Sequence, residues 1–270
     1  MAASGPPYRG LIVDMDGVLW RGDEPVPGIV GFFDLLRARG IAFVLATNNA
    51  SKTVAEYQDK LAGFGVAVRP EEILTSSQAT AAHLADLLPG GARVYAIGEA
   101  GLREALAEHG HILLSDEAEE ADCVAVGWDR GLTWAKLRCA CLLIRRGARF
   151  VGTNPDRTYP TPDGLVPGNG ATLAALEAAT GVAPLIVGKP EPLLYEQALK
   201  RLGTPRTETA ALGDRLDTDI AGARRAGLPA ILVLSGVTTA DELAASPLQP
   251  DEVYADISAL AEAWSVVPGS

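Results

Sequence analysis

The chain has 270 residues, 48% of them hydrophobic and 21% charged, which is the composition of a globular protein too long to be one small module. Its net charge of −11 argues against a nucleic-acid partner, which needs a basic face to neutralise phosphates, and against an anionic membrane surface. No apolar run reaches the ~18–20 residues that span a bilayer. The first ten residues hold Pro6 and Pro7 but no signal-peptide core, so a cytoplasmic protein is expected.

Short apolar runs recur at residues 11–13, 41–46, 94–97, 123–126, 149–151, 185–187, 210–212 and 231–234. Several are rich in Val and Ile, as buried parallel strands are. Helical patterns lie between them. Ile29, Phe32, Phe33 and Leu36 fall on one helical stripe closed by Gly40. Leu137, Cys141 and Ile144 repeat it before Gly147, and Leu194, Ala198 and Leu202 before Gly203. This alternation predicts an α/β protein, a Rossmann-like doubly wound parallel sheet with helices on both faces. The acidic run 116–122 reads as a solvated helix or loop. Cys123, Cys139 and Cys141 are too few for a disulfide framework and are expected as buried or inert thiols. His109 and His111, on either side of Gly110, are expected at the surface.

Open α/β sheets bind ligands beyond the carboxyl ends of their strands. Four of these runs end in reactive polar groups. Asp14, Met15, Asp16 and Gly17 follow the first run, and Thr47, Asn48 and Asn49 the second. Gly188, Lys189 and Pro190 follow the run at 185–187. Gly213 and Asp214, then Asp217 and Asp219, follow the run at 210–212. Polar residues that simply end strands explain any one of these, but not readily all four. The chemistry that needs this set is phosphoryl transfer. Carboxylates such as Asp14 and Asp214 bind Mg²⁺, a hard cation. A lysine and a hydroxyl hold phosphate oxygens. An aspartate can be the nucleophile. Asp16, two residues on, shares a face with Asp14 in an extended segment and can move the protons. The sequence has no G-x-x-x-x-G-K-[ST] loop, no G-x-G-x-x-G after a strand and no G-x-S-x-G elbow.

In order and type these four segments resemble the motifs of the haloacid dehalogenase-like (HAD) phosphohydrolases. Asp14 to Gly17 is similar to the D-x-D-G motif, Thr47 to the second motif, Lys189 to the third, and Gly213 to Asp219 to the fourth. Gly152, Thr153, Asn154, Pro155 and Asp156, then Thr161, Pro162 and Pro167 to Gly170, resemble the cap of subclass IIA. That subclass contains p-nitrophenyl, phosphoglycolate, pyridoxal phosphate and nucleotide phosphatases. The resemblance implies a core in residues 1–89 and 184–270, with an inserted α/β cap at 90–183. It also implies a Mg²⁺-dependent phosphatase of small phosphate monoesters that works through an aspartyl-phosphate.

The resemblance makes Asp14 the nucleophile and a metal ligand. Asp16 becomes the acid/base and lends its backbone carbonyl to the metal. Thr47 and Lys189 hold the phosphoryl group, Asn48 adds a backbone N–H, and Asp214 is a metal ligand. Asp219 holds metal-bound water or braces Lys189, while Asp217 is as readily a surface or helix-capping residue. The second carboxylate, Asp16, separates this chain from true dehalogenases. Substrate choice falls to cap loops, with Arg130, Asn154 and Asp156 as candidates beside Trp128, Asp129, Arg157 and Tyr159; for each, a loop-stabilising role is the alternative. Trp20 is expected to pack beneath the loop that follows it, with a place near the entrance as the alternative. The subclass also implies a cap-mediated homodimer. Two other readings stay open: a phospholigand-binding regulator without turnover, and a phosphotransferase to an acceptor other than water.

Overall fold

The computed structural model describes residues 8–161 and 163–265; Pro6, Pro7 and Pro162 lie outside the described residues. The chain forms two compact units. One comprises residues 1–47, 57–74 and 190–270, the other residues 48–56 and 75–189.

The first unit is built on a six-stranded sheet. Across it lie Glu252–Tyr254, Ala230–Val233, Thr209–Gly213, Gly10–Val13, Ala42–Thr47 and Ile73–Thr75. Numbered in chain order, these strands run 6-5-4-1-2-3. Gly10 lies opposite both Thr209 and Ala42 in parallel register. Gly10–Val13 and Thr209–Gly213 are buried at every position. Burial on both faces is why they read as continuous apolar runs rather than alternating ones. The winding reverses between these two strands, and the crevice at their carboxyl ends is where such sheets take ligands. Helix Ile29–Ala38 buries the expected stripe, Ile29, Phe32, Phe33 and Leu36. Phe33 meets Phe43 of the sheet edge-to-face, with ring centroids 5.1 Å apart; burying each such ring is worth roughly 1.5–3 kcal/mol.

The second unit carries a five-stranded sheet in the order Leu185–Ile186, Arg149–Gly152, Cys123–Val126, Arg93–Ile97 and Ile112–Leu113. All four pairings are parallel. Leu185 lies opposite Val151, and the N–H groups of Val187 and Gly188 continue the pairing onto the carbonyls of Gly152 and Thr153. The strand end that carries Lys189 therefore belongs to this sheet. Apolar periodicity cannot distinguish two parallel sheets, so the run 185–187 had no mark of its owner.

Helix Trp134–Arg145 buries Cys139, Ala140, Leu143 and Ile144, with Leu137 and Cys141 at the margin of the core cluster. The buried face is rotated from the expected one because Ala140 packs against the sheet, and a small residue leaves little hydrophobic signal. Cys123 and Cys139 are buried and Cys141 half-buried; none of the three forms a disulfide. His111 is not at the surface. It is buried, its Nδ1 accepts the Ala92 N–H at 3.1 Å, and its Nε2 faces the Ala81 carbonyl at 3.0 Å. With Nδ1 an acceptor, Nε2 carries the proton and the ring joins two backbone segments. Among the described residues, no helix is long and apolar enough to cross a membrane.

Candidate active site

The candidate residues fall into two groups, one on each unit. On the first unit, Asp14 and Asp214 directly follow the adjacent central strands. The Asp14 N–H donates to Leu212 O at 2.8 Å, which extends the pairing one residue past Val13. Asp14 is half-buried, and Asp214 and Asp219 are buried. Asp219 arrives by a wide helical turn over Leu216–Ile220, in which the Ile220 N–H reaches back to Arg215 O at 3.1 Å. Such π-type turns insert a residue and re-aim side chains. Asp214 Oδ2 accepts the Val237 N–H at 2.7 Å, and Asp219 Oδ2 accepts the Arg215 N–H at 3.1 Å. Gly17, at φ 86°, and Gly236 both press on Asp214; a Cβ at either would overlap its carboxylate.

Each of Asp14, Asp214 and Asp219 offers a carboxylate oxygen, and the three lie within 4.8 Å of one another, the one such group among the described residues. Three anionic oxygens are the donor set of a hard divalent cation. Oxygens on opposite sides of an ion at 2.0–2.1 Å stand roughly 4 Å apart, so the spacing fits. Asp217 is not part of the group. Arg215 grips it with hydrogen bonds of 3.1 and 2.9 Å and holds its carboxyl below the usual range. The Asp16 carboxylate is also outside it. Asp16 is exposed, and its Oδ1 accepts the Trp20 Nε1–H at 2.7 Å. Thr47 ends strand Ala42–Thr47 and is buried.

On the second unit Asn48 is the hub. Its Oδ1 accepts the Lys189 N–H at 2.8 Å, and its Nδ2 donates to Lys189 O at 2.9 Å. The same Nδ2 stands 3.4 Å from Asp156 Oδ2. The Asn48 carbonyl accepts from Ser76 Oγ at 2.7 Å and Asn154 Nδ2 at 2.8 Å. Gly188 leaves the room this needs, since a Cβ there would lie 2.6 Å from Asn48 Oδ1. The Asn154 Oδ1 accepts the Asp156 N–H at 3.2 Å, closing the Asx turn that the Asn-Pro-Asp sequence favours. Asn169 ties this loop to the sheet, its Nδ2 donating to Val126 O at 3.1 Å and Asn154 O at 2.8 Å. The Arg130 guanidinium makes two hydrogen bonds to Glu99, at 2.6 and 2.9 Å, and lies over the Trp128 ring; the Arg130 backbone N–H adds a third bond to Glu99 at 3.2 Å. These bonds hold the Glu99 carboxyl below its usual range. Trp128 stacks on Tyr159 with centroids 4.3 Å apart.

Two family models match the chain. One, described as haloacid dehalogenase-like hydrolase, covers residues 11–112, and the other, described as HAD-hydrolase-like, covers residues 186–260. The protein 5'-nucleotidase YutF of Bacillus subtilis is 42% identical over 236 residues, covering 87% of this chain and 91% of that protein. The chain belongs to the HAD hydrolases. Acid sugar phosphatase of Staphylococcus aureus (strain USA300) is 38% identical over 256 residues, covering 94% of this chain and 98% of that one. The crystal structure of 4-nitrophenylphosphatase from Thermotoga maritima superposes with a TM-score of 0.90 at 36% identity, covering 96% of this chain and 98% of that one. The p-nitrophenyl phosphatase from Archaeoglobus fulgidus gives 0.89 at 34% identity over 96% of this chain and 100% of that one. Within the HAD hydrolases these relatives support subclass IIA.

Three features of this HAD hydrolase were not foreseen from its sequence. The resemblance gave Asn48 a backbone role, whereas the side chain also braces Lys189. Asn169 and Trp20 were not candidates for holding site residues. Gly168 and Gly170 on either side of Asn169 hinted at its role, since a side-chain amide can satisfy a loop's N–H and C=O together. Trp20 left only the four-residue spacing from Asp16, which acquires meaning once the turn between them is known.

Proposed function

We propose that this HAD-type phosphatase hydrolyses small phosphate monoesters through an aspartyl-phosphate on Asp14, with Mg²⁺ as its cofactor. The observation that supports this most is the convergence of Asp14, Asp214 and Asp219 at the point where the sheet reverses its winding. Asp14 and Asp214, with Asp219 behind them, are the residues that would hold the ion. When bound, the ion neutralises anionic charge that would otherwise repel the nucleophile.

An Asp14 carboxylate oxygen attacks phosphorus, and the bond from phosphorus to the leaving oxygen breaks. Asp16 gives its proton to that oxygen, and the alcohol departs. Asp16, now a carboxylate, takes a proton from water as the water oxygen attacks the phosphoryl group. The bond from phosphorus to Asp14 breaks, and inorganic phosphate is released. Thr47 and Lys189 hold the phosphoryl oxygens, and removing one such contact typically costs about 10²–10³-fold in rate. We assign substrate choice to Asp156 and Arg130 of the second unit, with Asn154 holding the loop that carries Asp156.

The relatives' names, a 5'-nucleotidase and an acid sugar phosphatase, set the first panel: nucleoside monophosphates and sugar phosphates. Phosphate release from that panel and from p-nitrophenyl phosphate is to be measured for the wild type and for Asp14→Asn, with Mg²⁺ and with chelator. Wild-type turnover that needs the ion and vanishes in Asp14→Asn is the expected result. Equal rates in the two proteins would refute the assignment.

A further inference from the structure

The Asp16 carboxylate and the Trp20 indole are held together by the local turn. Val18 and Leu19 both donate their N–H groups to Met15 O, and the Gly17 N–H donates to Trp20 O at 2.8 Å. The chain thus folds back so that Trp20 lies beside Asp16 in a single bridge. Met15 and Trp20 are fully buried, while Asp16 is exposed. The indole is fixed on several sides. Tyr57 stacks on it at 6.3 Å and Phe64 tilts against it at 6.0 Å. The Lys60 Nζ sits 4.7 Å from its ring centre and is anchored to Gly22 O at 2.7 Å. Among the described residues, the Trp20 Nε1–H is the one hydrogen-bond donor to the Asp16 side chain, at 2.7 Å.

We infer that Trp20 is a positioning residue for proton transfer, acting through Asp16. This rests on the reading of Asp16 as the acid/base. The argument is geometric. An exposed aspartate on a loop rotates between rotamers, and a general acid must point one oxygen along the path of the proton. A donor on Oδ1 removes that freedom and assigns the proton to Oδ2. The indole N–H donates and cannot accept, so the bond forms only when Oδ1 is an acceptor. Asp16 meets that condition in both states: as a carboxylate and as an acid with its proton on Oδ2. The Lys60 cation over the ring face draws electron density from the indole and makes its N–H a better donor. An aromatic side chain that only filled space beneath the loop would need no N–H aimed at a carboxylate.

The test exploits leaving groups. An alkyl phosphate expels a strongly basic alkoxide that needs the proton from Asp16; p-nitrophenyl phosphate expels a stable phenolate that does not. Trp20→Phe keeps an aromatic ring in the pocket and removes the N–H. Its kcat/KM should fall about 10–100-fold for an alkyl phosphate monoester, the value of one hydrogen bond to a charged group. For p-nitrophenyl phosphate it should fall no more than about 3-fold, since kcat/KM ends at leaving-group departure. Asp16→Asn run alongside should show the same split more strongly. If Asp16→Asn does not discriminate between the substrates, the acid/base reading itself fails. If Asp16→Asn discriminates and Trp20→Phe lowers both substrates equally, or neither, only the positioning role is overturned. Should Trp20→Phe not accumulate as folded protein, Lys60→Met decides. A loss about 2–5-fold larger for the alkyl ester supports the relay, and a uniform loss or none overturns it.

Discussion

The Asn48 side chain gives the sharpest handle on the second group of site residues. In Asn48→Asp the size and shape are kept. Oδ1 still accepts the Lys189 N–H, but the donor to Lys189 O is lost, and a second carboxylate faces Asp156 at the 3.4 Å now spanned by a hydrogen bond. At an effective dielectric of ~20, unit charges at that distance repel by about 5 kcal/mol. Solvent at half-buried Asp156 cuts this to roughly half. The lost bond to Lys189 O adds about 1 kcal/mol. Asn48→Ala loses both hydrogen bonds to the Lys189 backbone, about 1–3 kcal/mol, without adding repulsion. The near-isosteric change should therefore be the more damaging one at neutral pH.

The assay is kcat/KM for phosphate release together with thermal midpoint, for Asn48→Asp, Asn48→Ala, Asp156→Asn and the double variant Asn48→Asp with Asp156→Asn. A displacement of Lys189 near 1 Å should cost about 10²-fold in rate. In the double variant the donor and acceptor are exchanged, the charge conflict is gone, and most of the loss in midpoint should return. If Asn48 supplied only its backbone N–H, Asn48→Ala would stay near the wild type. That result, or a failure of Asp156→Asn to rescue, would refute the bracing role.

Three further outcomes follow from the geometry. Asp214→Asn should raise the Mg²⁺ concentration for half-maximal rate at least about tenfold and abolish any rise of thermal midpoint with Mg²⁺, because one oxygen of a three-carboxylate group becomes neutral. The Cys123 thiol, pushed up to about 12 by burial, should resist alkylation at pH 8 in the folded protein, while half-buried Cys141 reacts first; peptide mass mapping reads both. Glu99 has its carboxyl lowered by the hydrogen bonds from Arg130, so its contribution to stability is complete above the ordinary carboxylate value of 4.5 and is lost as pH falls through the depressed one. Glu99→Gln should accordingly flatten the acid limb of midpoint against pH below 4.5 while leaving its alkaline limb unchanged.

The doubly wound core was legible because burial on both faces writes a parallel strand as an unbroken apolar run. All eight runs are strands. In the two parallel sheets, the strands that no apolar run marks lie at the edges. Ile73–Thr75 has three residues, and Glu252–Tyr254 is half exposed and mostly polar at its ends. An edge strand makes its hydrogen bonds through the backbone on one side only, and its side chains need not be apolar, so composition carries no trace of it. His111 was misplaced for a related reason. Its neighbours Gly110 and His109 look like a surface turn, yet an imidazole with one acceptor and one donor nitrogen can be buried at little cost when a backbone N–H and C=O meet it, as those of Ala92 and Ala81 do.

The same asymmetry governs the site. Asp14, Thr47, Lys189 and Asp214 could be picked out because each ends its strand or follows it within three residues, and covalent adjacency is what a sequence displays. Asp219 could be counted only as a supporter, since its entry into the metal group depends on the wide turn over Leu216–Ile220, in which one extra residue rotates the carboxylate inward. The Asn48 amide reaches Lys189 across 141 positions, and the Trp20 indole reaches Asp16 through a turn closed by backbone hydrogen bonds. These contacts use ordinary residue types at unremarkable spacings. In the proposed reading Asn48 and Trp20 hold reacting groups rather than react, so the chemistry demands only a donor or acceptor from them, and several side chains could supply that. Reacting groups are therefore constrained in identity and readable from the sequence, while the groups that hold them are constrained in position and become visible only in the folded chain.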